Sequence, residues 1–187
     1  MNVMKRESVV SWEAGANKWS LVFLMVLLWG AVAPATVVRQ ISFRTLVDSS
    51  ELVIHGVVRD VVEEPGLKEV GGFHTLIEIE VLEAFKGQPG GREPFRLVLP
   101  GGRVGNRVMK IPGMPRFHSG DEAVFFLERI KGGYALTGLH QGVYWVQDRG
   151  ENGKWVESPL REEGTLWRGP YPLEHFIKRL YGEVGQP

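Results

Sequence analysis

Residues 73–81 read Phe73-His74-Thr75-Leu76-Ile77-Glu78-Ile79-Glu80-Val81. Successive side chains of an extended chain point to opposite faces, so Phe73, Thr75, Ile77, Ile79 and Val81 share one face and His74, Glu78 and Glu80 the other. The stretch predicts a strand with one face in a core. Upstream, residues 52–62 (LVIHGVVRDVV) are dense in β-branched side chains and predict a second strand, bent or bulged at Gly56. The polar, Pro- and Gly-bearing residues 63–72 predict the turn that makes the two a hairpin.

The same pattern continues downstream. Residues 86–91 (KGQPGG) predict a turn and 95–99 (FRLVL) a third strand. Residues 100–120 hold five Gly and three Pro and predict a loop too long to be incidental in a small domain. Residues 121–130 (DEAVFFLERI) predict a strand, and 134–139 its antiparallel return after Lys131-Gly132-Gly133. Residues 143–146 predict another, paired with 154–156 across a turn. Phe43, Leu46 and Val47, following Ser42, have the spacing of one helical face and predict a short helix before the first strand. Leu173, Phe176, Ile177 and Leu180 do the same for a terminal helix over 172–181, with Pro172 in its first turn. The fold expected is mainly β: a small closed or nearly closed barrel of about five or six strands, with a helix at either end. Its expected core is Phe73, Ile77, Ile79, Val81 and Leu97, with Leu99, Phe125, Leu127 and Leu136.

A chain of 187 residues that is 43% hydrophobic and 24% charged is long enough to bury a core without staples. Cysteine is absent, which removes disulfides, thiolate metal sites and Cys nucleophiles together. Lys18 precedes residues 21–33, an apolar run of 13 residues that ends in Ala33-Pro34-Ala35. A basic start, an apolar centre and an A-x-A-like end predict a signal peptide over residues 1–35, cleaved after Ala35. The product would be a periplasmic or secreted protein in which residues 36–187 form one domain, with a helical extension from about residue 171. The alternative is an uncleaved segment, the only membrane contact expected. Without Lys5, Arg6, Glu7, Glu13 and Lys18, the 22 basic and 22 acidic residues become 19 and 20. That balance gives no electrostatic case for nucleic acid.

Motifs for chemistry are few. The glycines of residues 100–107 lack both the P-loop ending and the dinucleotide-binding spacing, so they read as turn residues. His55, His74, His118, His140 and His175 lie on different predicted elements with no metal-ligand spacing. His74 shares a face with Glu78 and Glu80, but positions four and six apart on a strand lie roughly 13 and 20 Å apart, too far for one ion; they read as a solvated face. No metal or other cofactor is expected. His118-Ser119-Gly120-Asp121 holds the residue types of a catalytic triad, but a triad converges from separate elements and this run reads as a turn. Arg103, Arg107, Lys110 and Arg116 concentrate positive charge in a loop without an acid between Pro100 and Gly120. They are the candidate binding residues, for an acidic partner surface.

The runs SSELVIHGVVRDV, HTLIEIEVLEAFKG, LVLPGGRVG, IPGMPRFHSGDEAVFFLE and YALTGLHQGVYWV together resemble a family of uncharacterised exported bacterial proteins, over about residues 49–146. That family is similar to the netrin-like variety of the OB barrel, which includes the tissue inhibitors of metalloproteinases. The resemblance implies an OB-like fold and a non-enzymatic binding module, for an envelope or extracellular protein, a protease among them. Those inhibitors set an amino-terminal Cys on the catalytic zinc; here the mature terminus would be Thr36, so that route is not expected. The rival expectation is a hydrolytic enzyme with His118 or His140 as base.

Overall fold

A computed structural model describes residues 40–65, 72–90, 94–157 and 170–185. The expected signal peptide lies outside the described residues. Residues 39–187 form one compact unit.

The hairpin read from the alternating stretch is present: β1 (Leu52–Pro65) pairs antiparallel with β2 (Phe73–Lys86). β1 runs past residue 62, so part of the expected turn is strand. Its register shifts at His55/Gly56 and again between Val58 and Asp60, which bends it around the barrel. At Gly56 a Cβ would lie 2.6 Å from Ile79 Cγ2 and 2.7 Å from the Glu80 carbonyl oxygen. Only glycine lets the two strands approach this closely.

β3 (Phe95–Pro100) pairs antiparallel with β2. The expected loop after it contains a hairpin of its own, β4 (Gly102–Val104) and β5 (Arg107–Met109), set apart as a two-stranded sheet. Gly101 and Gly102 enter it at φ 99° and 143°, the left-handed side that side chains disfavour. β6 (Glu122–Ile130) and β7 (Gly133–Leu136) then form a tight hairpin. β7 meets β3 in parallel at Leu97 and Tyr134, and β6 pairs antiparallel with β1. The ring β1-β2-β3-β7-β6 therefore closes on itself, and the molecule is a five-stranded barrel.

Inside the ring, Ile54, Val58, Ile77, Ile79, Leu97 and Phe125 are fully enclosed. Phe73 and Val81 are corrections to the expected core, being only half-buried. Phe73 opens β2 opposite the last residue of β1, and Val81 packs on the core from its margin.

The first half of β6, on the edge whose second half pairs with β7, carries β8 (Val143–Asp148), followed by β9 (Lys154–Glu157) and β10 (Tyr171–Pro172). β10 has no counterpart in the sequence reading. Helices α1 (Phe43–Ser49) and α2 (Leu173–Val184) cover this layer. α1 starts where expected: the Ser42 hydroxyl accepts the Thr45 amide at 3.1 Å, and Phe43, Leu46 and Val47 are buried. α2 buries Leu173, Phe176 and Leu180, with Ile177 half-buried. A T-shaped contact joins Phe43 to Phe126 at 5.9 Å, and Tyr144 meets Phe176 at 5.0 Å. Tyr181 donates to Glu83 at 2.9 Å, and this bond, aided by desolvation and by the carboxylate's charge, holds the phenol above its ordinary pKa.

The strand expected over 134–139 stops at Leu136. A turn and a 3-10 helix, Leu139–Gly142, replace its end, with Leu139 at φ 60°. The kink has a use: Gln141 Oε1 accepts the Ile41 amide at 2.8 Å, and Ser50 bonds both the Leu46 carbonyl and Thr137 Oγ1. The first and last of these contacts, Ile41 to Gln141 and Ser50 to Thr137, tie the two ends of α1 to the barrel. Among the described residues no helix is long and apolar enough to cross a membrane.

Candidate binding groove

β1 is longer than its neighbour. β6 pairs with it only over Leu52 to Val57, and the chain before β6 adds two bonds: the Val58 amide to the Asp121 carbonyl and the Gly120 amide to the Val58 carbonyl, both 2.8 Å. Beyond Arg59, whose carbonyl accepts the Ser119 hydroxyl, no described strand pairs with that edge. The β4–β5 hairpin and the chain returning from it close over this end of the barrel. Two bonds anchor the entry: the Gly101 amide to the Phe73 carbonyl at 2.8 Å, and Thr75 Oγ1 to the Gly101 carbonyl at 2.9 Å.

The result is a groove of about 690 Å³. Its floor is apolar and continuous with the barrel core: Ile77, Leu99 and Phe117 are buried and face it, with Met114 beside them. Its exposed margin carries Arg103, Lys110 and Arg116. β1 supplies Val61 and Glu63, and Glu63 is the single acid among the described residues of the lining. Three of the four cations singled out from sequence therefore meet at one groove. Arg107 does not: it is exposed at the start of β5, outside the lining.

Charge is distributed unevenly. Arg59 pairs with Glu80, Arg96 with Glu78 at 2.9 Å, and Arg129 with Glu51 at 3.4 Å. Among the described residues, no acid pairs with Arg103, Arg107, Lys110 or Arg116. Their charge is open to a ligand instead of being spent inside the fold.

The histidines separate. His118 is exposed at the groove and lies 3.5 Å from Asp121, whose carboxylate also accepts the His118 amide at 2.7 Å. The Ser119 hydroxyl donates to the Arg59 carbonyl, and residues 118–121 form the turn their sequence suggested. His140 lies in the 3-10 helix and bonds the Gly113 carbonyl through its amide. His74 corrects the expected solvated face: it is buried, in register with Glu64 and Pro100, and its Nδ1 has no hydrogen-bond partner. Glu78 and Glu80 on the same face are held by their arginines instead. His55 is buried too, with Nε2 at 2.7 Å from Glu122 Oε1. Lys154 bonds both oxygens of that carboxylate, tying β9 to β6. The sequence hint was a lone polar residue in an apolar strand; only the pairing of β1 with β6 supplies its partner. Among the described residues no cluster of His, Asp and Glu is built to hold a metal ion.

Compared with protein-family models and with curated proteins, the chain matches none.

Proposed function

We propose that the chain is an exported, non-enzymatic binding module that recognises an acidic protein partner of the cell envelope or exterior through the groove beneath the β4–β5 hairpin. The observation that carries this is three exposed, unpaired cations around an apolar cavity open to solvent. The volume lies within the roughly 300–1,000 Å³ of ligand sites, and apolar walls with few polar groups are their usual composition. The ring crosses from β3 to β7 and returns through β6 to β1, which supports an OB-type barrel. Barrels of that type bind ligands on the face of their second and third strands. Here Thr75 and Ile77 of β2 and Leu99 and Pro100 of β3 line the groove. The netrin-like resemblance fits the same reading.

Export rests on residues 1–35, and intact-mass analysis of protein from the native host should find Thr36 at the amino terminus. A mass that includes the preceding residues would contradict cleavage. Partner binding is tested by affinity capture from envelope extract, wild type against an Arg103→Glu/Arg116→Glu double variant. Two charge reversals at exposed sites should leave the fold intact and lower the yield of acidic protein by at least about tenfold. Capture by the wild type should also weaken with salt, as the Debye length shrinks to about 8 Å near physiological strength. Equal yields from both proteins would remove the groove as the site.

A further inference from the structure

The same groove constrains what its occupant looks like. We propose that it takes a large apolar side chain flanked by carboxylates, presented by a loop or chain end of the partner protein. This rests on the binding reading above and adds the ligand's chemistry to it.

The apolar part follows from the floor. Ile77, Leu99 and Phe117 belong to the barrel core yet face the groove, so an inserted apolar side chain would extend that core. Met114 and Met109 beside it are the adaptable thioethers suited to ligands of varied shape. Val108 and Met109 are 46% and 41% exposed on β5, two of the three large hydrophobics the described residues leave open to solvent. Burying them on binding would be favourable. The acidic part follows from Arg103, Lys110 and Arg116. Glu63, inside the same groove, repels a uniform polyanion such as nucleic acid, so negative charge belongs on only part of the ligand.

A loop or chain end is favoured over an added strand because the free edge of β1 is guarded. The Val61 amide, which would begin a new ladder, is bonded to Asp60 Oδ1 at 2.8 Å. A bulge precedes it, and Pro65, with no N–H to give, ends the strand. Side-chain insertion needs none of these backbone groups.

Selection of a displayed random-peptide library on the full chain tests this. Enriched peptides should carry Phe, Leu or Met next to paired Asp or Glu. In anisotropy titrations of the selected peptide, replacing the apolar residue with Ala should weaken binding at least about tenfold. The Arg103→Glu/Arg116→Glu variant should do the same, with its thermal midpoint unchanged. Acidic peptides with no apolar residue would overturn the anchor but leave the cationic site standing. Apolar peptides indifferent to the charge reversal would overturn both. Tighter binding to phosphatidylglycerol vesicles than to any peptide would overturn a protein segment as the occupant, as would a library with no enrichment.

Discussion

Phe126→Ala is expected to cost about 3–5 kcal/mol of unfolding free energy, measured by urea denaturation. Phe126 is fully buried on the outer face of β6, where it contacts Phe43 at 5.9 Å and Tyr144 at 5.3 Å. Truncation would remove both aromatic contacts and leave a void in the apolar cluster that packs α1 and α2 on the sheet. Hydrogen exchange should accelerate first in the two helices. A loss below about 1 kcal/mol would show that the helical layer does not depend on this ring.

Ile79→Ala is expected to cost about 2–5 kcal/mol. Ile79 is fully buried inside the barrel, in register with Val58 of β1 and Phe95 of β3. Three strands of the closed ring pack at that point, and a barrel has little freedom to collapse around a lost side chain. Leu82 lies three residues along the same strand but is 49% exposed, so Leu82→Ala should change stability by no more than about 0.5 kcal/mol. Equal costs for the two substitutions would mean that the faces of β2 are reversed.

How much the sequence disclosed depends on the element. β2 was legible because one face is core and the other carries charge, so its alternation survives in the residue types. β6 was legible as a strand but not as a strand buried on both sides. Ala123 to Leu127 is a continuous apolar run, and nothing local says that the barrel takes Phe125 while the helices take Phe126. The β4–β5 hairpin was missed although its signal was present: Gly105-Asn106 is a two-residue turn between the paired Val104 and Arg107, with β-branched Val108 next along the returning strand. Neighbouring glycines and cations made the stretch resemble loop. β7 was read too long because the break at Leu136 depends on Gln141 reaching the Ile41 amide, a contact across 100 residues.

The candidate site divides the same way. Its cations were legible, since four basic residues without an acid stand out in a near-neutral chain. Its apolar floor was not. Val61, Ile77, Leu99 and Phe117 come from separate elements and meet only once the ring has closed. Each alone reads as core.

The most direct test of the groove as the binding site is a photocrosslinking residue placed in turn at Val108 and at Leu82. Both positions are exposed and apolar, but only Val108 lines the groove. Incubated with envelope extract and irradiated, the Val108 protein should form a covalent adduct with an acidic protein, and the Leu82 protein should not. Adducts of equal yield from both positions, or an adduct from Leu82 alone, would contradict the account.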